Sequence, residues 1–434
     1  MVHTPFDCFK NRRLNNSEGY AGGWSMDNKC CKVLFDSGSL GLGHVTRDLA
    51  IVKEFRKIRP DAEIVWLASE PAGSILKQQG EKLLPESDHY GNDTDDVEKD
   101  AKGFSVNLSK HIASGSKVWG TLFEKFVKIV EREKPNLIIG DEAAEINVSF
   151  GEPSFASMPP TIAMFDYGKL YSMTNSPKDK LVVWMVNRYY HKAYSRESDE
   201  VTRKKYPAVF LGDPEDVPDE KLGLTLMNAR EGAKKGMTFV GDIVRFNPND
   251  YRDKQKVREK LGYGNEKLII CTIGGTNIGR SLLELCAKSY PIIKDRFPDL
   301  RMILVAGPRC DPGSFHVPEG VEVKGYVPDL YEHFAASDLT IVQAGGTSCL
   351  ELTALNRPFL FFPLAEHFEQ GITVSEKMKR LDAGVRMEFA KTTPQLLAET
   401  IWNNLGKEVH FKQPNLGGDR RIAEMMDHMY GIFG

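Results

Sequence analysis

The chain has 434 residues, room for two or three domains that each bury a core. Its composition, 41% hydrophobic and 27% charged with a formal net charge of −3, is that of a globular protein and gives no electrostatic ground for a nucleic-acid partner. No apolar run reaches the roughly 18–20 residues that cross a bilayer, and seven cysteines without paired spacing read as reduced thiols of a cytosolic protein.

Residues 1–29 are polar, without periodicity or a signal-peptide apolar stretch, and are expected to form a disordered leader, with Met26 an alternative start. The adjacent Cys30 and Cys31 lack a companion His/Cys cluster, so no metal site is expected there. A first strand is predicted over 32–37, followed by a glycine-rich turn and a helix with Val45, Leu49, Val52 and Phe55 on one face. Further strands are predicted over 64–68, 137–141, 161–165, 208–211 and 238–240, with helical stretches such as 118–133 between them. The acidic segment 88–102 reads as a solvated surface loop. Its Asp93-Thr94-Asp95 matches a metal-binding pattern of a different fold, but two carboxylates are common in any acidic stretch. The pattern restarts at 267–273, which ends in Gly274-Gly275, and continues through strands at 301–306, 321–324, 339–343 and 358–362. Two successive units that each open strand, glycine turn, helix imply an α/β chain of two Rossmann-like domains, 30–240 and 241–412, joined through a Pro/Asn/Asp-rich segment at 241–250.

Three constellations carry chemistry. Gly38, Gly41 and Gly43 lie between the first strand and helix, out of register with the dinucleotide fingerprint, and His44 stands at the helix entrance. A helix N-terminus disfavours the imidazolium, so His44 reads either as a proton acceptor or as a helix cap. Gln343-Ala344-Gly345-Gly346-Thr347-Ser348 follows a buried strand and opens a helix, which offers free backbone N–H groups and a positive dipole end to a diphosphate. The competing reading is a capping box, Ser348-x-x-Glu351, in which Glu351 serves its own helix. After the strand at 358–362 come Glu366, His367, Glu369 and Gln370; a carboxylate beside an amide can bind neighbouring sugar hydroxyls.

The run 337–370, SDLTIVQAGGTSCLELTALNRPFLFFPLAEHFEQ, resembles the two-domain (GT-B) glycosyltransferases, above all the lipid-linked N-acetylglucosaminyltransferase of cell-wall synthesis and the UDP-glycosyltransferases. GYVPDL at 325–330, the Gly274-Gly275-Thr276 turn, the 241–245 segment and the Gly41–His44 turn resemble further parts of that family. The resemblance implies two Rossmann-like domains across a cleft, with a last helix (413–434) returning to the N-terminal domain through Ile422, Met425, Met426 and Met429. It implies that Gly345, Gly346, Thr347 and Ser348 hold a diphosphate, assisted by Gly43, Gly275, Thr276 and Arg245. Glu351 would take the ribose, Val327 the base through its main chain, and Glu369 and Gln370 the transferred sugar. His44 would face the acceptor, with Asp141 in the place of an acid that orients it. Gln343 stands where plant-type relatives have a histidine, and Arg47 where a proline is expected after His44.

The implied activity is metal-independent, inverting transfer of a sugar from a UDP-sugar to a hydroxyl acceptor, with no cofactor beyond that substrate. A UDP-sugar 2-epimerase is the alternative within the fold. An NAD-dependent oxidoreductase using the first glycine turn, with Glu70 as its ribose acid, is the alternative from another class, and a noncatalytic sugar-nucleotide-binding subunit is a third. The acceptor is open. Trp184, Tyr189, Tyr190 and Tyr194 among Lys180, Arg188, Lys192, Arg203, Lys204 and Lys205 fit either a peripheral contact with the inner face of the membrane, admitting a lipid-linked acceptor, or a helix that packs its aromatics and solvates its charges.

Overall fold

The computed structural model describes residues 30–38, 41–91, 93–149, 155, 157–194 and 200–434; the expected leader, 1–29, lies outside them. Two parallel sheets organise the chain. The first is ordered β3-β2-β1-β4-β5-β6-β7 and holds β1 (Lys32–Ser37), β2 (Glu63–Leu67), β3 (Lys82–Leu83), β4 (Leu137–Asp141), β5 (Thr161–Phe165), β6 (Ala208–Phe210) and β7 (Thr238–Phe239). The second is ordered β10-β9-β8-β11-β12-β13 and holds β8 (Lys267–Thr272), β9 (Leu300–Val305), β10 (Val321–Lys324), β11 (Leu339–Gln343), β12 (Phe359–Phe362) and β13 (Val385–Arg386). In both, the glycine-turn strand sits centrally and the strand order reverses beside it, which opens a crevice at the carboxyl ends of the strands.

Both faces of each sheet are covered, so the strands are mainly apolar and their apolar residues alternate in which core they serve. Val33, Phe35, Ile64, Trp66, Leu137 and Ile139 join the first helix (Gly43–Ile58) on one face. Leu34, Val65, Leu67 and Ile138 join Phe123, Phe126 and Val130 of the long helix Leu108–Glu133 on the other. That long helix begins ten residues before the predicted start at 118, with Asn107 accepting from Lys110 N as its cap. In the second sheet Ile269, Cys271, Met302 and Leu304 face one core, and Leu268, Ile270, Ile303 and Val305 the other.

The acidic segment 88–102 is not a solvated loop. It contains the helix Asp93–Asp100, which crosses to the second domain. Val97, Phe104 and Val106 enter the core of that domain. Glu98 accepts from Asn277 N at 2.8 Å and from Arg309 Nε at 3.0 Å, and Arg309 also binds Asp95. Glu98 and Asp95 thus form a paired face, and Val97 is the anchor. Ser105 pairs with Ala365 as an isolated parallel bridge beside this anchor.

The chain crosses between the domains a second time. The C-terminal helix (Gly418–Phe433) buries Ile422, Ala423, Met426 and Met429 in the core that also contains Val33 and Phe55 of the first domain, while Met425 is only partly buried. Arg59 donates to Asp427 at 2.6 Å. The lead-in and start of this helix bind the segment that joins the domains: Asp242 N donates to Asn415 O at 2.8 Å and Gly418 N to Asp242 O at 3.0 Å. Gly241, at φ +76°, leaves no room for a Cβ against the Asn415 carbonyl, so glycine is required there by conformation and by space.

Candidate functional site

The cleft between the domains holds a cavity whose lining comes from both. Two glycine turns meet across it. A Cβ on Gly275 would lie 2.7 Å from Leu42 N, and one on Gly43 would lie 2.8 Å from Thr347 Oγ1. The first helix and the helix Gly346–Ala354 thereby bring their N-termini close together, each with its positive end toward the cleft.

The helix Gly346–Ala354 is preceded by Gly345 as its cap residue, and no side chain caps it. The capping-box reading is therefore not realised: Ser348 lies inside the first turn, and the carboxylate of Glu351 is taken by Arg245, whose Nε donates to it at 3.2 Å. Burial raises Glu351 above the ordinary carboxylate range against the pull of Arg245. The guanidinium of Arg245 also lies over the Tyr331 ring at 4.7 Å, which fixes its plane. Gly346, Thr347 and Ser348, whose N–H groups have no partner within the helix as members of its first turn, line the cavity.

Gly43, Arg245, Gly275, Thr276, Val327, Gly345, Gly346, Thr347, Ser348, Glu351, Glu369, Gln370 and His44 all line this one cavity. Asp141 does not: it is fully buried behind His44, with its Oδ2 3.3 Å from His44 Nδ1. His44 is not a helix cap either. The helix starts at Gly43 after Leu42, and no side chain caps it. Gln343, oriented so that its amide nitrogen donates, reaches the carbonyl oxygens of Ile278 at 2.6 Å and Ile273 at 3.2 Å. It therefore ties the end of β11 to the turn after β8. Glu70 accepts from Ser74 N at 3.2 Å, at the start of its own helix, and is not among the lining residues.

Several residues that sequence reasoning left unassigned complete the site. Arg47 donates to Asp141 through Nε at 2.6 Å and Nη2 at 2.5 Å, and to Asp166 through Nη1 at 3.0 Å. Its Nη2 also lies 2.8 Å from His44 Nδ1. Glu142 follows β4 in a left-handed conformation, φ +51°, and accepts from Asp166 N at 3.0 Å. Glu369 begins a π-helical turn, Glu369–Val374, and such turns often mark functional sites. The charges sort by surroundings. Burial would raise Asp141, but Arg47 and then His44 overturn it and hold the carboxyl below its ordinary range. Burial and then Asp166 push Glu142 well up, and the same two influences push Glu369 up to about 8. Burial lowers His367 to about 4, so it lines the cavity as a neutral ring. Gln370 spends its Oε1 on Leu364 N at 3.0 Å, which turns its amide nitrogen into the free donor.

Two signals could have found the unassigned residues. Arg47 is three positions from His44 and so shares its helix face. Glu142 and Asp166 each follow the last residue of a strand, the edge on which such crevices form. Among the described residues no group of three or more His, Cys, Asp or Glu is arranged to hold a metal ion. No helix among them is long and apolar enough to cross a membrane. On the helix Pro177–Tyr194, Val183 and Val186 are buried, Trp184 donates to Leu224 O at 3.1 Å, and Arg188 lies over the Trp184 ring at 5.5 Å. The side chains of Tyr189, Tyr190, Lys192 and Tyr194 lie outside the described residues, as do those of Asp93 and Thr94.

Residues 269–412 match the glycosyltransferase family 28 C-terminal domain. The chain is 24% identical over 409 residues to a UDP-N-acetylglucosamine--N-acetylmuramyl-(pentapeptide) pyrophosphoryl-undecaprenol N-acetylglucosamine transferase of Clostridioides difficile (strain 630), which covers 92% of this chain and 87% of that protein. The protein of the same description from Carboxydothermus hydrogenoformans is 27% identical over 344 residues, 76% of this chain and 77% of its own. Of solved structures, the glycotransferase of kitacinnamycin superposes with a TM-score of 0.55 at 14% identity, covering 93% of this chain and 94% of the other. A spinosyn rhamnosyltransferase gives 0.55 at 12% identity, covering 93% and 96%. The fold is the GT-B fold, as expected from the sequence.

Proposed function

Starting from a glycosyltransferase with the GT-B fold, we propose that the chain transfers a sugar, with inversion and without a metal ion, from a UDP-sugar to a hydroxyl of a separate acceptor. The observation that carries this is the single cavity. It joins an uncapped helix N-terminus, the Arg245–Glu351 pair and the Glu369–Gln370 turn on one wall to His44 on the other. The uncapped amides of Gly346, Thr347 and Ser348 hold the diphosphate, and Arg245 and Thr276 assist. Glu351 takes the ribose hydroxyls, the main chain at Val327 meets the base, and Glu369 and Gln370 bind the sugar. The C. difficile and C. hydrogenoformans relatives are named for UDP-N-acetylglucosamine and an undecaprenol-linked acceptor, which supports an N-acetylated hexose as donor sugar and a lipid-linked acceptor here.

In the proposed reaction His44, oriented by Asp141, accepts the proton of the acceptor hydroxyl as its oxygen attacks the anomeric carbon. The bond to the diphosphate breaks on the opposite side. The charge that develops on the leaving oxygen is met by the helix amides and Arg245.

Calorimetry tests the donor: UDP is expected to bind more tightly than ADP or NAD, and equal affinity for the three would remove the claim. Glu351→Ala is expected to weaken UDP binding by about 1.5–3 kcal/mol, the worth of a hydrogen bond to a charged group. His44→Ala is expected to leave UDP affinity unchanged and to slow transfer by roughly 10²–10⁴-fold. Incubation with labelled UDP-sugars, scored for UDP release against isomerisation, separates transfer from epimerisation.

A further inference from the structure

His44 can serve as a base through Nε2 only if its other nitrogen, Nδ1, carries the proton. Two groups compete for Nδ1. Asp141 Oδ2, at 3.3 Å, can only accept a proton from it. Arg47 Nη2, at 2.8 Å, can only donate to it, because a guanidinium has no acceptor. The nearer partner is the donor. With Nδ1 accepting, the ring proton lies on Nε2, and Nε2 faces the Glu142 carboxyl with Oε2 at 3.9 Å. In this arrangement His44 is poised as a hydrogen-bond donor and is not yet a base.

We propose that Arg47 is the positioning residue that decides which nitrogen of His44 carries the proton, and that it frees the ring for base duty when an anionic donor fills the cleft. This deepens the donor-and-base reading above and rests on it. The groups that face the ring are Arg47 on its own helix, Asp141 and Glu142 at the end of β4, and Asp166 beyond β5; Glu369 faces Arg47 and Asp166 from the second domain. Arg47 binds Asp141 through Nε and Nη2 and Asp166 through Nη1, and the second N–H of Nη2 points to Nδ1, so the bond to His44 is the one it makes to a group that is not a carboxylate.

The release has a geometric basis. Gly43, whose Cβ would meet Thr347, stands one helical turn, about 6 Å, before Arg47 on the same face. Arg47 itself lines the cavity beside Thr347 and Glu369. A diphosphate seated on the Gly346–Ser348 amides brings anionic oxygens to that face. The Arg47 side chain shifts toward them and withdraws from Nδ1, the proton on Nε2 is lost to water, and Nδ1 takes a proton from water and donates a hydrogen bond to Asp141. The ring stays neutral, and Nε2 is left with its lone pair toward the acceptor.

The test is ¹⁵N spectroscopy of the full chain labelled at histidine, with the His44 signals assigned by their loss in His44→Gln. Without ligand, the wild type is expected to carry its proton on Nε2. With UDP as the probe, the proton is expected on Nδ1. Arg47→Lys keeps a cation beside Asp141 and Asp166, but a compact ammonium lacks the planar fork whose separate nitrogens reach Asp141, Asp166 and Nδ1 at once. It is expected to show the Nδ1 proton with or without UDP. A wild-type ring already protonated at Nδ1 without ligand overturns the proposal, and this needs no variant. So does an Nε2 proton that survives in folded Arg47→Lys, or one that survives saturation with UDP. If calorimetry finds no UDP binding, the donor reading fails and the release step with it, while the ligand-free spectra still decide whether Arg47 sets the resting state.

Discussion

Burial and the Asp166 carboxylate both oppose a charge on Glu369, and Arg47 only partly offsets them, which leaves the carboxyl at about 8. A carboxyl raised on folding binds more protons in the native state than in the unfolded chain. Its contribution is full below the ordinary value of 4.5 and is lost progressively as pH rises to about 8. Glu369→Gln, a mimic of the protonated form, is therefore expected to melt higher than the wild type at pH 8 and nearly alike at pH 5, checked by calorimetric scans without ligand (the two pH values bracket roughly the titration window). A wild type and variant whose difference does not grow with pH would show that Glu369 titrates normally. At this scale the sequence was readable where a motif named the residue and silent where charge pairing did. His44 and Glu351 stood in recognisable turns. Arg47 occupied a position expected to hold proline, and its anionic partners Asp141, Glu142 and Asp166 lie from 94 to 119 residues further along the chain. His367 lay inside the quoted motif, yet nothing in spacing says that its ring is buried and neutral.

The two glycine turns differ in what surrounds them, and that difference sets a comparison between variants. A Cβ at position 275 would meet the backbone of Gly41 and Leu42, which cannot rotate away, whereas one at position 43 meets the side chain of Thr347, which can. Gly275→Ala is expected to force the turns apart and to slow transfer by about 10²-fold, the usual cost of roughly 1 Å of misplacement. Gly43→Ala is expected to cost much less. Equal rates for the two variants, each shown to be folded, would mean that the turns do not close on each other during turnover. Long strands were legible because a doubly covered strand is apolar on both faces through its middle, as in VLF of β1 and LIIC of β8. The two-residue edge strands β3 and β13 were missed, since so short a segment shows no period, whereas the equally short β7 was expected at 238–240. The helix Asp93–Asp100 was missed for another reason: Val97 is its one buried hydrophobic residue, and the core that buries it belongs to the other domain.

At the scale of the whole molecule, the C-terminal helix is the second element that one domain lends to the other. Met426→Ala is expected to destabilise the protein by about 2–5 kcal/mol in denaturant titrations, the usual cost of emptying a fully buried methionine site. UDP affinity of the folded variant should stay at the wild-type value, since Met426 packs on the face of the first sheet away from the cleft lining. A variant that lost UDP binding while keeping its stability would show that the helix acts on the cleft directly. The swap of helices also bears on how the chain comes off the ribosome. The first domain begins to emerge some 400 residues before the helix that completes its core, so until that helix is made the core around Val33 and Phe55 lacks Ile422, Ala423, Met426 and Met429. The domain made first is the domain finished last, and a nascent chain held short of residue 418 is where chaperone binding should be strongest.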